Sequence, residues 1–318
     1  MTKIWDRARA LATKSVAAPL WLASLVIVPE TVAADLADIQ WSSTLSFDRE
    51  MQMTWDEGTL NTEFAAAPSF LTTAKTSTSL PNGAHLSFGA DVLLTGNGVA
   101  TTNGETELEG GLSFNYRQKF GTNNDWQYQV RGESDILMSN EELVFQRQRL
   151  GFHLKYRLSP EHSTAGFVRF GYRDQNDDRL LGYDQTEFLG SLTHTWRPED
   201  SDLTFAGTVY TETRRADYAQ YSYDEVGLRF MARTPLSETN EMTARLSIYQ
   251  REFQDGYSAT NPTHRDDTRI KLSVEVEHTF SDQLSGSAYA GWDGNGSTIS
   301  GLSYDGPIAG VAITYQWQ

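Results

Sequence analysis

Cationic side chains recur at every second position in the stretch from Val144 to Leu158, VFQRQRLGFHLKYRL. The even positions in the second half of this stretch are apolar. The odd positions carry the charge, on Arg147, Arg149, His153, Lys155 and Arg157. A strand points successive side chains to opposite faces, whereas helical spacing would mix the two sets around one axis. A row of cations on one face of a strand can attract anions and set the selectivity of an aqueous pore.

Strands are the elements that must position this row, and the same period of two continues through the chain from Asp35 onward. We predict strands at Trp41–Trp55, Leu60–Leu71, Leu86–Leu94, Leu108–Phe120, Trp126–Met138, Val144–Leu158, Gly166–Tyr172, Leu180–Trp196, Leu203–Thr211, Val226–Leu236, Met242–Gln250, Ile270–Phe280, Leu284–Trp292 and Ala309–Trp317. Their number is even and several are long, as transmembrane barrels require. A soluble β-sandwich, the alternative, would have shorter strands. The sequence therefore predicts an all-β fold, a transmembrane antiparallel up-and-down β-barrel of about 14 strands (roughly 12–16).

Connection lengths support this topology. Short segments such as GTNND, SPEHS and SETNE follow even-numbered strands, and longer ones such as QDGYSATNPTHRDD follow odd-numbered strands. Barrels of the outer membrane have short periplasmic turns and longer external loops, so we expect the even-to-odd turns in the periplasm. Two connections depart from this rule. SNEE after the fifth strand is short, and the connection after the second strand, which includes the irregular stretch Thr72 to Gly83, is long.

Composition narrows the function classes. The net charge of −16 argues against nucleic acid as a partner. The chain has no cysteine, which excludes thiol catalysis and a disulfide framework. The mean hydropathy of −0.48 does not exclude a membrane location, because a period of two hides the apolar face of a strand in the average.

Residues 1–34 have the pattern of a secretory signal peptide. A basic leader comes first, with Lys3, Arg7, Arg9 and Lys14. The apolar segment from Val16 to Val28 is shorter than the ~20 residues that a spanning helix needs, and Val32-Ala33-Ala34 offers small residues before Asp35. We predict cleavage after residue 34, a single barrel domain over residues 35–318, and a location in the outer membrane of a Gram-negative cell.

The strand faces opposite the apolar sets would line the interior of such a barrel. The charged positions that we predict to line a pore are Arg117, Arg131, Glu133, Arg147, Arg149, Lys155, Arg169, Glu187, Arg229 and Arg245. Two interpretations compete: the charges pair across neighbouring strands and fill the barrel, or they line a water-filled lumen. Barrels of about eight strands are filled by side chains and those of about sixteen enclose a channel, so fourteen strands favour the lumen.

A basic wall is the specific form that we expect this lining to take. The residues that would build it come from three consecutive strands and are Arg131, Arg147, Arg149 and Arg169. Such a wall would favour anionic solutes despite the acidic total, much of which we assign to loops through residues such as Asp174, Asp266 and Asp267.

Catalytic and metal sites are weaker candidates. His85 and Ser87 share one face of a predicted strand, where the imidazole could activate the hydroxyl, but their apolar neighbours turn them inward, away from lipid. His264 lies near Asp266 and Asp267 without the second aspartate pair of a protease. Oxygen ligands at Asp174, Asn176, Asp177 and Asp178 could hold calcium, although a solvated acidic loop is the simpler interpretation. We predict no enzyme, no metal and no cofactor.

Residues 35–318 resemble a Gram-negative outer-membrane β-barrel in their overall pattern. The closing segment Gly310–Trp317, GVAITYQW, resembles the signal read by the barrel-assembly machinery, and it ends in Trp317-Gln318 rather than a terminal Phe. Size and strand number are similar to those of monomeric fourteen-strand porins. Arg265-Asp266-Asp267 before a long strand and Tyr304-Asp305 before the last one resemble the barrel domain of surface lipoprotein assembly modifiers.

These resemblances imply different functions. Porins imply passive diffusion of small hydrophilic solutes, which is the function that we predict. The assembly modifiers imply export or assembly of surface proteins, and a lumen closed by salt bridges would make the barrel purely structural. The expected partners are outer-membrane lipid and lipopolysaccharide, the barrel-assembly machinery and the solutes themselves.

Overall fold

The computed structural model describes residues 39–56, 59–96, 106–139, 142–176 and 184–317, which form fourteen antiparallel strands in one closed barrel. The strands are β1 Gln40–Asp56, β2 Thr59–Ser79, β3 His85–Gly96, β4 Thr106–Phe120, β5 Trp126–Ser139, β6 Glu142–Arg157, β7 His162–Gln175, β8 Gln185–Trp196, β9 Thr204–Ala216, β10 Tyr223–Pro235, β11 Asn240–Ser258, β12 Asn261–Thr279, β13 Leu284–Ser297 and β14 Tyr304–Trp317. Each strand pairs with its neighbours in sequence, and β1 closes the ring against β14. The predicted fold class and strand number are confirmed. The predicted signal peptide lies outside the described residues and stays a prediction.

The second strand is longer than predicted. It was expected to end at Leu71, but β2 continues to Ser79, so most of the supposedly irregular stretch is sheet. The outward positions of this part carry threonine and alanine rather than large apolar residues, which is why no alternation was visible in the sequence. A tight turn follows, in which the Leu80 N–H donates to the Ala84 carbonyl over 2.7 Å and Gly83 adopts a positive φ of 76°.

The start of β1 and the end of β14 lie at the same rim of the barrel, where Trp41 pairs with Trp317. We call this the terminal rim and the opposite one the distal rim. All six turns at the terminal rim have only four to seven residues, so the expected short even-to-odd turns are confirmed. Placing this rim in the periplasm remains a prediction.

Aromatic side chains gather near the terminal rim. Trp126 lies 4.4 Å from Tyr156 between ring centroids, and Trp196 stacks on Phe205 at 5.5 Å. Tyr315 and Trp317 form an edge-on pair at 4.9 Å. Such rings suit the boundary between hydrocarbon and headgroups, where one end of an aromatic side chain is apolar and the other is wet.

Close strand contact depends on Gly291 in β13. A Cβ atom there would press on the backbone carbonyl of Leu272 and lie 2.9 Å from the Ser273 Cα atom in β12. We expect Gly291→Ala to lower the free energy of unfolding by about 1–3 kcal/mol, because backbone rather than a flexible side chain must move. Gly166→Ala is the matched control, since nothing lies within 4 Å of its Cβ position. Urea unfolding of the refolded variants measures both; equal stabilities would contradict the packing argument.

Candidate functional site: the luminal wall

The barrel has its apolar residues outside and its charges inside. Large apolar side chains point away from the sheet, with 65 % of Leu112, 58 % of Phe170 and 57 % of Ile313 exposed. In contrast, Glu187 and Asp293 are almost fully buried on the inner face. Water would penalise this exterior, and hydrocarbon would not. The inner face is therefore the surface on which polar chemistry can occur.

Carboxylates interrupt the predicted basic wall on β5 and β6. The strand register places Glu133 opposite Arg149 and Asp135 opposite Arg147. The Arg147 Nε group donates to Asp135 over 3.1 Å, and one Arg149 Nη2 group lies 2.8 Å from both carboxylates. Arg131 contacts Glu133 through Nε at 2.5 Å. Carboxylates therefore lie among the arginines of the predicted basic wall, and the charges of β5 and β6 alternate.

A second ion network spans β7 to β11 and includes the predicted residues Arg169 and Glu187. Arg169 lies 3.6 Å from Glu187 and 3.7 Å from Glu212, and Arg214 donates to Glu212 over 2.8 Å. Arg251 contacts Glu225 at 2.6 Å. The glutamates are nearly inaccessible to solvent while the arginines are partly exposed, so the network presents guanidinium edges toward the lumen.

Aromatic rings separate the arginines of this region. The Tyr210 hydroxyl donates to Glu225 over 2.7 Å, and the Arg229 guanidinium lies 4.2 Å above the Tyr210 ring. Arg251 lies 4.2 Å above Tyr223. A guanidinium over an aromatic face gains a cation–π attraction and loses rotational freedom. These contacts keep several cations in fixed positions along the wall.

A third group of ion pairs lies on β12 and β13. It includes Asp267, which we predicted from the sequence to lie in a loop. Asp267 belongs to β12 and accepts from Arg265, and Asp293 on β13 accepts from both Nε and Nη2 of Arg269. Asp266 likewise lies in β12, and Asp174 lies in β7. Their assignment to loops is wrong, because these strands extend beyond the apolar alternation that was used to delimit them.

The ion pairs run along the wall and not across the lumen. Among the described residues, every ion pair joins groups of one strand, of neighbouring strands or of next-but-one strands, counting the turn residue Asp125 with β5. Fourteen strands about 4.8 Å apart, tilted by about 40°, form a ring roughly 28 Å across between backbones. Two extended side chains from opposite walls do not meet over that distance. The charges thus coat the interior without bridging it.

Hydroxyl groups predominate on the wall formed by β14, β1 and β2. Ser42 and Thr73 lie 2.6 Å apart through their hydroxyl oxygens, and Ser46 and Ser69 are equally close. Thr44 contacts Thr314 at 2.8 Å. The same face also carries Asp48, which accepts from Ser46 over 2.9 Å, and Lys75. The interior is consequently asymmetric, with ion pairs predominating on one side and hydroxyls on the other.

A short 3₁₀ turn, Ser300–Leu302, bends over the hydroxyl-lined side at the distal rim. The Asn295 side chain on the inner face of β13 donates to the Leu302 carbonyl over 2.9 Å, and Leu302 is 3 % exposed. The turn lies against β2, beyond β14 and β1 in the ring. It therefore narrows this side of the opening.

The remaining predicted pore residues lie apart from these networks. Arg117 lies opposite His85 and Gln129. Lys155 lies opposite Gln127 and Ala165.

Arg245 contacts Glu275 at 3.3 Å and has about half of its side chain exposed. The ten predicted pore positions do not include the carboxylate partners Asp135, Glu212, Glu225 and Asp293. Their inward strand positions were the available signal for them, but the pairing itself depends on register.

The structure places the catalytic candidates His85 and Ser87 next to other polar residues. His85 Nδ1 lies 3.1 Å from the Ser79 hydroxyl, and Ser87 lies opposite Ser77 and Asn115. Within the described ranges, no group of three His, Cys, Asp or Glu side chains is placed to hold a metal ion. Asp177 and Asp178 of the possible calcium loop lie outside these ranges.

A closed antiparallel ring satisfies its backbone hydrogen bonds internally, and this one has an apolar outer face and a charged inner face. The chain is a β-barrel of the outer-membrane type. In the part of the chain that the structure describes, no helix is long and apolar enough to cross a bilayer.

Comparisons with known proteins add likenesses of fold only. No protein-family model matches the sequence, and no curated protein matches it. OmpT, an outer membrane protein of Vibrio cholerae, is 11 % identical over 88 % of this chain and 99 % of its own, with a TM-score of 0.49. A bacterial polysaccharide outer membrane secretin is 10 % identical over 88 % and 98 %, with a TM-score of 0.48. A FadL homologue of Pseudomonas aeruginosa is 8 % identical over 87 % and 89 %, with a TM-score of 0.46.

Proposed function

We propose that the barrel forms a water-filled pore for passive diffusion of small hydrophilic solutes across the outer membrane. The observation that carries this proposal is the direction of the ion pairs, which follow the wall and leave the axis unbridged among the described residues. The ion pairs do join neighbouring strands, but side chains around a ring roughly 28 Å across between backbones do not reach far enough to fill it, as a barrel closed by salt bridges would require. Charged groups that line an aqueous passage also set its ion selectivity.

Single-channel recording tests the proposal. The refolded chain of residues 35–318 is inserted into a planar bilayer, with different salt concentrations on the two sides. We expect stable open steps and a reversal potential of modest size, because most of the wall charges are compensated by neighbours of opposite sign. A folded, heat-modifiable barrel that passes no current would overturn the open pore and favour a structural or export function.

Charge substitutions in the wall should move the selectivity in opposite directions. Replacing Arg147 and Arg149 together by glutamine removes both arginine partners of Asp135 and leaves Glu133 with Arg131 alone, so the reversal potential should shift toward cations. Glu133→Gln should shift it toward anions. The same salt gradient measures both variants. Unchanged reversal potentials in two conducting, folded variants would show that this wall does not face the ion path.

The remaining expectations about orientation and partners accompany this proposal. We propose that the terminal rim faces the periplasm, that the apolar belt contacts outer-membrane lipid and lipopolysaccharide, and that the barrel-assembly machinery reads Gly310–Trp317. The outward residues Val311, Ile313 and Trp317 of β14 support the last point, since they give the closing strand an apolar face. Assembly into membranes of a chain lacking residues 310–317, as efficient as that of the full chain, would refute it.

A further inference from the structure

A recess of about 400 Å³ opens in the ionic wall where β5, β6 and β7 meet. Its lining combines cations, one carboxylate and one aromatic ring; the residues are Gln129, Arg131, Glu133, Arg149, Gly151, His153, Phe167 and Arg169. A cavity of this size suits a small molecule, and a few fixed polar groups can orient that molecule.

Gly151 creates the recess. The register places it between Arg131 on β5 and Arg169 on β7, so a position without a side chain separates two long cationic ones. A Cβ atom on Gly151 would lie 2.8 Å from Cε2 of Phe167. The Phe167 ring therefore lies over the glycine and supplies an apolar surface beside the arginines.

The charge of the recess is positive. Three guanidinium groups and a single carboxylate, Glu133, line the recess. Glu133 contacts Arg131 and Arg149, and Arg149 also contacts Asp135, which lies outside the lining. Arg131 has 57 % of its side chain exposed, and Glu133 is its one ionic partner among the described residues. Arg169 reaches its own carboxylates only at 3.6 and 3.7 Å, longer than a normal hydrogen bond. Guanidinium donors are thus left over on both sides of the glycine.

We propose that this recess binds a small carboxylate with an aromatic or similarly flat apolar body. The carboxylate lies between Arg131 and Arg169, where a guanidinium can donate two parallel hydrogen bonds, and the body lies on the Phe167 ring. This inference rests on the proposed function in one respect, because it names a class of solute for the pore. The binding itself does not require conduction.

Calorimetric titration of the refolded chain in detergent with benzoate tests the proposal. We expect saturable binding that weakens at least tenfold in Arg131→Gln, whose loss leaves Glu133 still paired with Arg149. Arg233→Gln is the matched control, because Arg233 is 55 % exposed and has one carboxylate partner at 2.6 Å. The control should bind benzoate like the unaltered chain. Gly151→Val should abolish binding by filling the recess, and if that variant does not fold, Arg131→Gln decides the question.

Benzamide, which is neutral but similar in shape, and acetate, which lacks the ring, complete the experiment. Both should bind at least tenfold more weakly than benzoate. Equal binding of benzamide would reveal simple partitioning and overturn the proposal, as would equal losses in the Arg131 and Arg233 variants. A chain that conducts ions but does not bind benzoate would refute this inference alone. A chain that binds benzoate without conducting would refute the pore and retain the site.

Discussion

Replacing Asp293 by alanine is expected to lower the free energy of unfolding by roughly 3–5 kcal/mol, the largest effect of any single luminal substitution. The Asp293 side chain is 2 % exposed and accepts from two nitrogen atoms of Arg269, one of them over 2.8 Å. Alanine would leave the Arg269 guanidinium, whose side chain is only 30 % exposed, without its carboxylate partner. The uncompensated charge, more than the lost attraction, accounts for the size of the effect.

Urea unfolding of the refolded chain in lipid vesicles, followed by tryptophan fluorescence, measures this loss. Asp224→Ala is the control, because its pair with Arg215 is exposed on both sides and should contribute at most about 1 kcal/mol. The double substitution Arg269→Met with Asp293→Leu should recover most of the stability, since neither charge then remains buried. Similar losses in the Asp293 and Asp224 variants would contradict the assignment of a buried pair.

Leu112→Arg is expected to cost about 2–4 kcal/mol in a bilayer, the range for an arginine near the midplane on the lipid face of a barrel. Leu112 is 65 % exposed, near the middle of β4, and its outward position places the new charge in hydrocarbon. A soluble protein would tolerate arginine at so exposed a position. The prediction therefore separates a lipid-facing surface from a water-facing one.

The adjacent residue supplies the control for this second prediction. Ser113 points to the lumen opposite Gly89 and Glu133, where an arginine finds water and a carboxylate. We expect Ser113→Arg to change the free energy of unfolding by much less than Leu112→Arg does in the same vesicle assay. Equal losses would show that the two faces of β4 have been assigned incorrectly.

The Asp293 and Leu112 predictions together explain how the barrel can be stable with a charged interior. The outer face gains stability from hydrocarbon, so the inner face need not be apolar and can carry charge. That charge is stable because carboxylates such as Glu187 and Glu225 are buried against arginines, which in turn lie over tyrosine rings. The wall is thereby held in one arrangement, with a recess where Gly151 lacks a side chain.

The amino-acid sequence by itself determined the fold class, the strand number and the face to which most side chains point. An alternation of two is a local property, and it persists through Val144–Leu158 without reference to any other strand. Alternation of apolar and polar residues does not reveal a strand that lacks large apolar residues, as in the last eight residues of β2. Nor does it reveal the part of a strand that extends past its apolar residues, as at Asp266 and Asp267.

Only the tertiary structure decided which charges meet. A shift of two residues between neighbouring strands keeps every side chain on its face and changes every partner, so alternation carries no information about pairing. Arg147 meets Asp135 twelve positions away, and Arg269 meets Asp293 twenty-four positions away, because the register of neighbouring strands brings them together. The sequence could thus show a row of arginines, but strand pairing turned that row into an ion-paired wall with a positively charged recess.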